Sequence, residues 1–508
     1  MLGHAGFFAP KAFSSGGQAN RRSGLFFISY RLTYIITKFI FVQQHIFDFW
    51  HRCTPKHFSL PATRSSTHHN HNNGEYMSYR RGWIAVFLFS LAMINYMDRI
   101  ALSIAAKPIA EEFHLSSVGM GYLFSSFIWS YALFLIPVGL LIDKFGVKRV
   151  GGFGIFIWSL ATALTGAASS FASLLTARLV MGAGESVSNP VGAKVIREWI
   201  PSTERGTITA IFNSGSYAGP AICSLVLAAL VAAFGWRMSF IIAGAIGFAW
   251  LLAWYFFYDK PEKVKWLCAD EREHIVETRT TGGATSTSAR AFGLRRLLRT
   301  PTIWGLAITQ GCNVYTQYLF LTWLPSYLQE VRHLTLAKSG LFTAIPYAAA
   351  VILCIIIGKL SDQYLKKGSG AGSGKRRNVI ALTMLIASCI LLIPFTDDIA
   401  LLVLIFSLTL AGIASTTSLN FSLLNDLLPS SGDVGRAMAF VVVGGNIFGM
   451  LAPVVTGYVI NATGSYNWAF GIAGALLVSG AVVIMTMTRK PMIPKQQLDA
   501  EQLVPHAV

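Results

Sequence analysis

A chain of 508 residues with only 13% charged and 53% hydrophobic residues cannot clothe a soluble surface, because soluble domains carry about 25% charged residues. An aromatic content of 13% likewise excludes a disordered chain. The apolar runs are continuous and about 20 residues long, which fits membrane-crossing helices and not the short alternating segments of an outer-membrane barrel. The net charge of +18 would suggest nucleic acid in a soluble protein. Here the basic residues fall in loops between apolar runs, where they set topology, so no nucleic-acid partner is expected.

Residues 1–76 differ from the rest. They hold seven of the eleven histidines and eight Lys/Arg against two acids. The apolar stretch Gly24–Trp50 is interrupted by Arg31 and Lys38. The His68, His69, His71 cluster has no second ligand group, so no metal is expected. The segment reads as an unstructured extension, or as a start placed too far upstream, with Met77-Ser-Tyr-Arg-Arg-Gly-Trp as the natural beginning. The cysteines Cys53, Cys223, Cys268, Cys312, Cys354 and Cys389 are isolated and imply neither a disulfide framework nor a cofactor site.

From Trp83 onward the apolar runs predict twelve spans, near 83–106, 119–141, 150–168, 172–195, 207–233, 238–258, 303–326, 339–360, 378–395, 399–424, 436–460 and 467–488. Basic residues mark alternate loops: Arg80 and Arg81 before the first span, Lys144, Lys148 and Arg149 after the second, Lys260, Lys263, Lys265, Arg290, Arg295, Arg296 and Arg299 among those in loop 259–302, and Lys366, Lys367, Lys375, Arg376 and Arg377 after the eighth. The positive-inside rule then places both termini, including tail 489–508, in the cytoplasm, with the chain in the cytoplasmic (inner) membrane. The loop 259–302, with its Gly/Ser/Thr-rich stretch at 282–288, is a linker between two six-helix bundles, 77–258 and 303–488.

The bundles repeat. Gly139-Leu-Leu-Ile-Asp143-Lys-Phe-Gly146-Val-Lys148-Arg149 follows the second span, and Gly358-Lys-Leu-Ser-Asp362 follows the eighth. Gly215-Ser216-Tyr-Ala-Gly219-Pro220 in the fifth span answers Gly445-Asn446-Ile-Phe-Gly449 and Pro453 in the eleventh. The offsets are 358 − 139 = 219 and 445 − 215 = 230. Two halves in the same order predict parallel pseudo-symmetry about the membrane normal, with the substrate site between them at mid-membrane.

The Gly139 to Arg149 stretch resembles the loop signature of the major facilitator superfamily, and Arg178-x-x-Met-Gly182-x-Gly184-Glu185 resembles its fourth-span signature. Within it, Asn95-Tyr96-Met-Asp98-Arg99, Trp129-Ser-Tyr131, Phe212-Asn213-Ser-Gly-Ser216 and Leu321-Thr-Trp323-Leu-Pro325 resemble the anion:cation symporter family of sugar-acid transporters. The resemblance covers residues 78–490. It implies an all-α, twelve-helix membrane fold and proton-coupled uptake of an organic anion. It also implies that Asp98, Glu185 and Arg178 carry proton coupling and that Arg99 clamps a carboxylate.

The residues support that reading on their own terms. An ionisable group within a span costs at least about 2.5–3.5 kcal/mol, so each is a functional candidate. Arg99 offers a planar fork to a carboxylate. Arg178 and Glu185 are two turns apart on one helix face. Asp98 and Arg99 are consecutive, so one faces span 4 while the other faces the cavity. Tyr131, Asn213, Ser216, Gln317 and Asn446 are candidates for substrate hydroxyls. Ser216 and Val442 stand where sugar-acid members often carry Gln and Asn, which points away from a galactonate-like polyol. Gly139, Asp143, Gly146, Arg149, Arg205 and Asp362 read as gating elements, with Asp143 at a helix N-terminus or paired with Arg205. The expectation is a monomeric symporter of a small carboxylate and protons in the lipid bilayer, without enzymatic activity. A proton-coupled exporter of drugs or other small molecules is the alternative; there the antiporter pattern after Gly219-Pro220 breaks at Cys223-Ser224.

Overall fold

A computed structural model describes residues 82–201, 204–264, 266–281, 299–366, 373–428 and 434–489. All belong to one unit of the chain, Met77–Val508; the expected extension at 1–76 and, beyond Arg489, the expected tail at 489–508 lie outside the described residues. These residues form helices and short connections. In order the helices are α1 (Gly82–Ile104), α2 (Ala106–Glu112), α3 (Ser117–Phe145), α4 (Val147–Thr165), α5 (Phe171–Glu185), α6 (Ser188–Trp199) and α7 (Arg205–Phe257). They continue with α8 (Ala269–Thr281), α9 (Pro301–Glu330), α10 (Leu336–Lys366), α11 (Ser373–Ala387), α12 (Ile399–Leu427), α13 (Val434–Thr463) and α14 (Asn467–Met487). A 3₁₀ stretch, Ser388–Phe395, extends α11.

Nine helical stretches among the described residues are long and apolar enough to cross a membrane. The fold is all-α and membrane-spanning. The other expected spans correspond to three local features. At 1.5 Å per residue the 53 residues of α7 would reach about 80 Å, far beyond a bilayer core of about 30 Å. Gly235, at φ 77° and ψ 167°, breaks it into arms 205–234 and 236–257; this left-handed φ suits glycine. The fourth expected span is broken at Ser186–Val187 between α5 and α6. Pro190 lacks an N–H and its ring opposes the Ser186 carbonyl, which is enough to interrupt a helix there. Helix α9 falls short in hydropathy because it is buried against protein along most of its length, so its Thr, Gln and Asn side chains do not meet lipid.

Helix α1 packs along α7, and α9 along α13. Glycines permit both approaches. A Cβ on Gly219 would lie 2.8 Å from the Met93 carbonyl, and one on Gly449 would lie 2.8 Å from the Tyr318 ring. The Gly215/Gly219 and Gly445/Gly449 pairs are thus close-packing positions in equivalent helices. The repeat extends to caps. His114 and His333 are the only non-glycine residues with positive φ among those described, each at 51°. Ser116 Oγ accepts from Gly119 N, and Thr335 Oγ1 from Lys338 N. Outward faces are apolar, as with Leu133 and Ile136 on α3 and Ile352 and Ile356 on α10.

The halves meet toward one end. Helix α3 packs on α13 and α7 on α10. Ser125 Oγ donates to the Met450 carbonyl at 2.6 Å, Ser224 Oγ to the Gly340 carbonyl at 3.1 Å, and the Tyr122 and Tyr458 hydroxyls are 3.1 Å apart. Gly121 lies under Pro453, where a Cβ would come within 2.7 Å of its carbonyl oxygen.

Candidate functional site

Toward the opposite end, the one bearing the basic loops, the halves enclose a cavity of about 770 Å³. It runs from Arg99 and Tyr318 to Arg205 and Asn425 near the helix ends. Its walls come from both halves. Arg99, Tyr131, Asn213, Ser216, Gln317 and Asn446, the six substrate candidates, all line it. So does Val442. A smaller space of about 390 Å³ adjoins it at Arg197, Arg205 and Asn189.

Arg99 is the buried cation on the cavity wall, at 6% exposure. Its Nε donates to Glu185 Oε2 at 2.9 Å and its Nη1 to the Tyr318 hydroxyl at 3.2 Å. The guanidinium also lies over the rings of Tyr96, Phe127 and Tyr131, at 4.7, 4.9 and 5.2 Å. Aromatic faces attract a desolvated cation and fix its plane. Behind this wall Asp98, Arg178 and Glu185 are buried, at 1%, 1% and 0% exposure. Neither oxygen of Asp98 has a hydrogen-bond partner, nor does Glu185 Oε1. Arg178 stacks over Phe127 at 5.1 Å and directs Nη1 to the Met181 sulfur.

Spacing leaves open which charge Glu185 meets. Arg178 and Glu185 share a helix face, yet the partner of Glu185 is Arg99. Helix α5 ends at Glu185, so its terminal side chain reaches across to α1, while Arg178 two turns earlier is caught by Phe127. Asp98 and Arg99 diverge as consecutive helix residues must, with Arg99 lining the cavity and Asp98 behind it.

The candidate gating loop differs from expectation in its partner. Asp143 ends α3 and pairs with Lys194 of α6, not with Arg205. Arg205 instead donates to the Ile200 and Arg197 carbonyls, bracing the end of α6. Gly146, at φ 86°, makes the turn between α3 and α4. Lys148 pairs with Asp259 at 3.1 Å. A Cβ at Gly139 or at its mate Gly358 would meet nothing within 4 Å. Arg149 lies on the first turn of α4. Asp362 lies in α10, and its side chain is outside the described residues.

The structure also brings forward residues that spacing did not single out. Tyr318 bonds Arg99, and Asn189 Nδ2 donates to the Tyr131 hydroxyl at 2.8 Å. Adding the repeat offset of 219 to Arg99 leads to Tyr318; nothing in the sequence points to Asn189. Ser216 is in the cavity, but its hydroxyl is turned to the Asn213 carbonyl at 2.7 Å.

Two pseudo-symmetric helical halves around a central cavity, closed at one end, define a membrane transporter. The family model described as Major Facilitator Superfamily matches residues 88–373 and 372–506, and the chain belongs to that superfamily. It is 31% identical over 442 residues to the "Probable galactarate/D-glucarate transporter GudP" of Bacillus subtilis (strain 168), covering 83% of this chain and 96% of the relative. It is 36% identical over 392 residues to the "Probable sulfoacetate transporter SauU" of Cupriavidus necator, covering 77% and 89%. A crystal structure of a bacterial homologue of the human lysosomal transporter Spinster, inward-facing and unoccupied, superposes with a TM-score of 0.59 at 19% identity, covering 81% of this chain and 95% of that one. That likeness concerns the fold.

Proposed function

We propose that this protein carries an organic acid of the sugar-acid type, together with protons, across the cytoplasmic membrane by alternating access. The observation that carries the reading is Arg99 on the cavity wall, held by a fully buried carboxylate, Glu185, that a substrate carboxylate would replace.

A carboxylate entering the cavity finds in Arg99 a charged donor already oriented by three aromatic faces and desolvated, the condition in which such bonds are strongest. As it takes over the guanidinium, Glu185 loses its counter-charge. A buried carboxylate without a partner favours the neutral form, so substrate capture and proton uptake support each other. Asp98, buried without a hydrogen bond, is the second proton carrier, and Arg178 is the cation whose approach would release either proton.

The relatives' printed substrates, galactarate/D-glucarate and sulfoacetate, agree with an acid. Valine at position 442 and the inward-turned Ser216 hydroxyl leave fewer hydrogen bonds for a polyol. In this orientation the cavity opens to the cytoplasm, both termini are cytoplasmic, and the Asp143 loop closes the inner end in the opposite state.

The test is counterflow in proteoliposomes against hexuronates, aldonates, aldarates and sulfoacetate, followed by accumulation driven by an imposed proton gradient. Transport of an acid with alkalinisation of the donor side is expected. Absence of transport across the whole panel would overturn the reading.

A further inference from the structure

The halves repeat at an offset of 219 residues through their first helices, as Gly139 and Gly358, His114 and His333, and Ser116 and Thr335 demonstrate. Arg99 and Tyr318 are mates at the same offset, and so are Ser103 and Thr322. Both pairs touch. Arg99 Nη1 donates to the Tyr318 hydroxyl at 3.2 Å, and Ser103 Oγ to the Thr322 carbonyl at 2.6 Å. A twofold rotation puts a residue and its mate on opposite sides of the axis at equal distance. Mates in contact therefore straddle the axis, so these two hydrogen bonds mark where it passes. The first lies at the inner end of the cavity, which both residues line; the second lies one turn further toward the closed end.

The symmetry fails in its chemistry. Asp98-Arg99 in the first half corresponds to Gln317-Tyr318 in the second. The second half contributes only uncharged side chains to the described cavity wall. Its contribution on the axis is a phenol. Tyr318 is held in place: its ring abuts Gly449, where a Cβ would lie 2.8 Å away, and its carbonyl accepts from Thr322 Oγ1 at 2.6 Å. The phenol oxygen accepts from Arg99, and a hydroxyl that accepts retains a proton to donate. Among the described residues that proton has no acceptor.

We infer that Tyr318 is a substrate-positioning residue whose hydroxyl completes, from the second half, the carboxylate seat that Arg99 begins in the first. The inference rests on the organic-acid reading above. Arg99 grips one carboxylate oxygen with a charged N–H, Tyr318 donates its O–H to the other, and the bound carboxylate bridges the axis. The ligand then bonds both halves at the depth where they already meet, so its capture registers in each.

The test uses the full chain in proteoliposomes, probed in turn with D-glucuronate, D-galactonate, galactarate and sulfoacetate. The first acid that wild type exchanges serves as probe. A hydrogen bond to a charged group contributes about 1.5–3 kcal/mol, or about 10- to 100-fold. Tyr318→Phe is expected to raise the half-saturation concentration by about that factor, with maximal exchange within about threefold of wild type. It should also reduce the preference for the probe over its uncharged amide, measured by competition, which a purely structural role would leave unmoved. Tyr315→Phe, which removes a phenol of the same helix that does not line the cavity and leaves Tyr318 untouched, should retain wild-type half-saturation. If Tyr318→Phe is not recovered folded, Tyr318→His, which keeps a ring donor, takes its place in ligand-induced thermal-shift measurements. Affinity within about tenfold of wild type then supports the seat, and loss of all ligand-induced stabilisation overturns it. If wild type exchanges none of the acids, the functional reading falls and this inference with it. If it exchanges one and Tyr318→Phe matches wild type in half-saturation and in acid-over-amide preference, the inference alone falls.

Discussion

Arg99 of α1 donates to Glu185 Oε2 of α5 at 2.9 Å, while Asp98, its neighbour in the chain, has neither carboxylate oxygen bonded. One residue along a helix turns a side chain by about 100°. That rotation separates a cation on the cavity wall from an acid buried behind it. It gives the cluster one engaged and one unengaged carboxylate, and the chemistry proposed here depends on that difference.

Arg99→Lys keeps the charge and removes the fork. A lysine ammonium is a point charge that cannot present coplanar N–H groups, one to the substrate carboxylate and one to the Tyr318 hydroxyl. Losing one charged hydrogen bond is expected to raise the half-saturation concentration by about 10- to 100-fold. Counterflow titration checks it; a value near wild type would take Arg99 out of the seat.

Glu185→Gln retains size and a hydrogen-bond acceptor but cannot carry a proton. Accumulation driven by a proton gradient is expected to collapse, while exchange of labelled for unlabelled substrate continues, because exchange requires no net proton release. Parallel loss of both, with a lower melting temperature, would make Glu185 a scaffold for Arg99, since an unpaired buried cation costs about 3–5 kcal/mol.

Gly121→Ala would place a methyl group 2.7 Å from the Pro453 carbonyl, and Gly340→Ala one 2.6 Å from the Ala228 Cβ. Both contacts exist at the closed end between the halves. Overpacking of this kind costs about 1–3 kcal/mol and falls on this conformation, so the population should move about 5- to 150-fold toward the opposite one. Cys354 lines the cavity and reports it. Its alkylation by a maleimide, followed by peptide mapping, should slow in both variants.

Restoring hydrogen-bonding capacity at Val442 is expected to change preference more than rate. Val442→Asn adds an amide to the cavity wall, and one net hydrogen bond of about 1 kcal/mol corresponds to about fivefold in affinity. The gain should appear for polyhydroxylated acids and be absent for sulfoacetate, as competition assays would reveal.

At the closed end, hydrogen bonds from Arg237 and then Trp236 hold the Glu112 carboxyl below its ordinary value. A carboxylate with a depressed folded value adds stability above its unfolded value, about 4.3. That stability is lost as pH falls through the folded value. The melting temperature of wild type should therefore drop more steeply than that of Glu112→Gln on acidification below about pH 5, and the two should converge in stronger acid. Parallel profiles would remove Glu112 from the linkage.

The membrane class, the two halves and the six cavity-lining candidates were legible in the chain because they rest on local quantities. Span length, loop charge and the spacing of glycines in α7 and α13 follow from residue type and order alone. The offset of 219 is likewise a property of the chain. What the chain could not decide is which charges meet. Helical periodicity put Arg178 and Glu185 on one face, yet the partner of Glu185 comes from α1, because α5 ends there and Phe127 intervenes under Arg178. Asp143 pairs with Lys194 rather than Arg205 for a similar reason: Arg205 is taken by carbonyls at the end of α6. Tyr318 became a site residue only when the halves closed on their axis and brought repeat mates into contact. Ion-pair choice and axis position are set by how helices pack across long sequence separations. A periodicity of 3.6 residues constrains the face a side chain takes and leaves its partner to the tertiary fold.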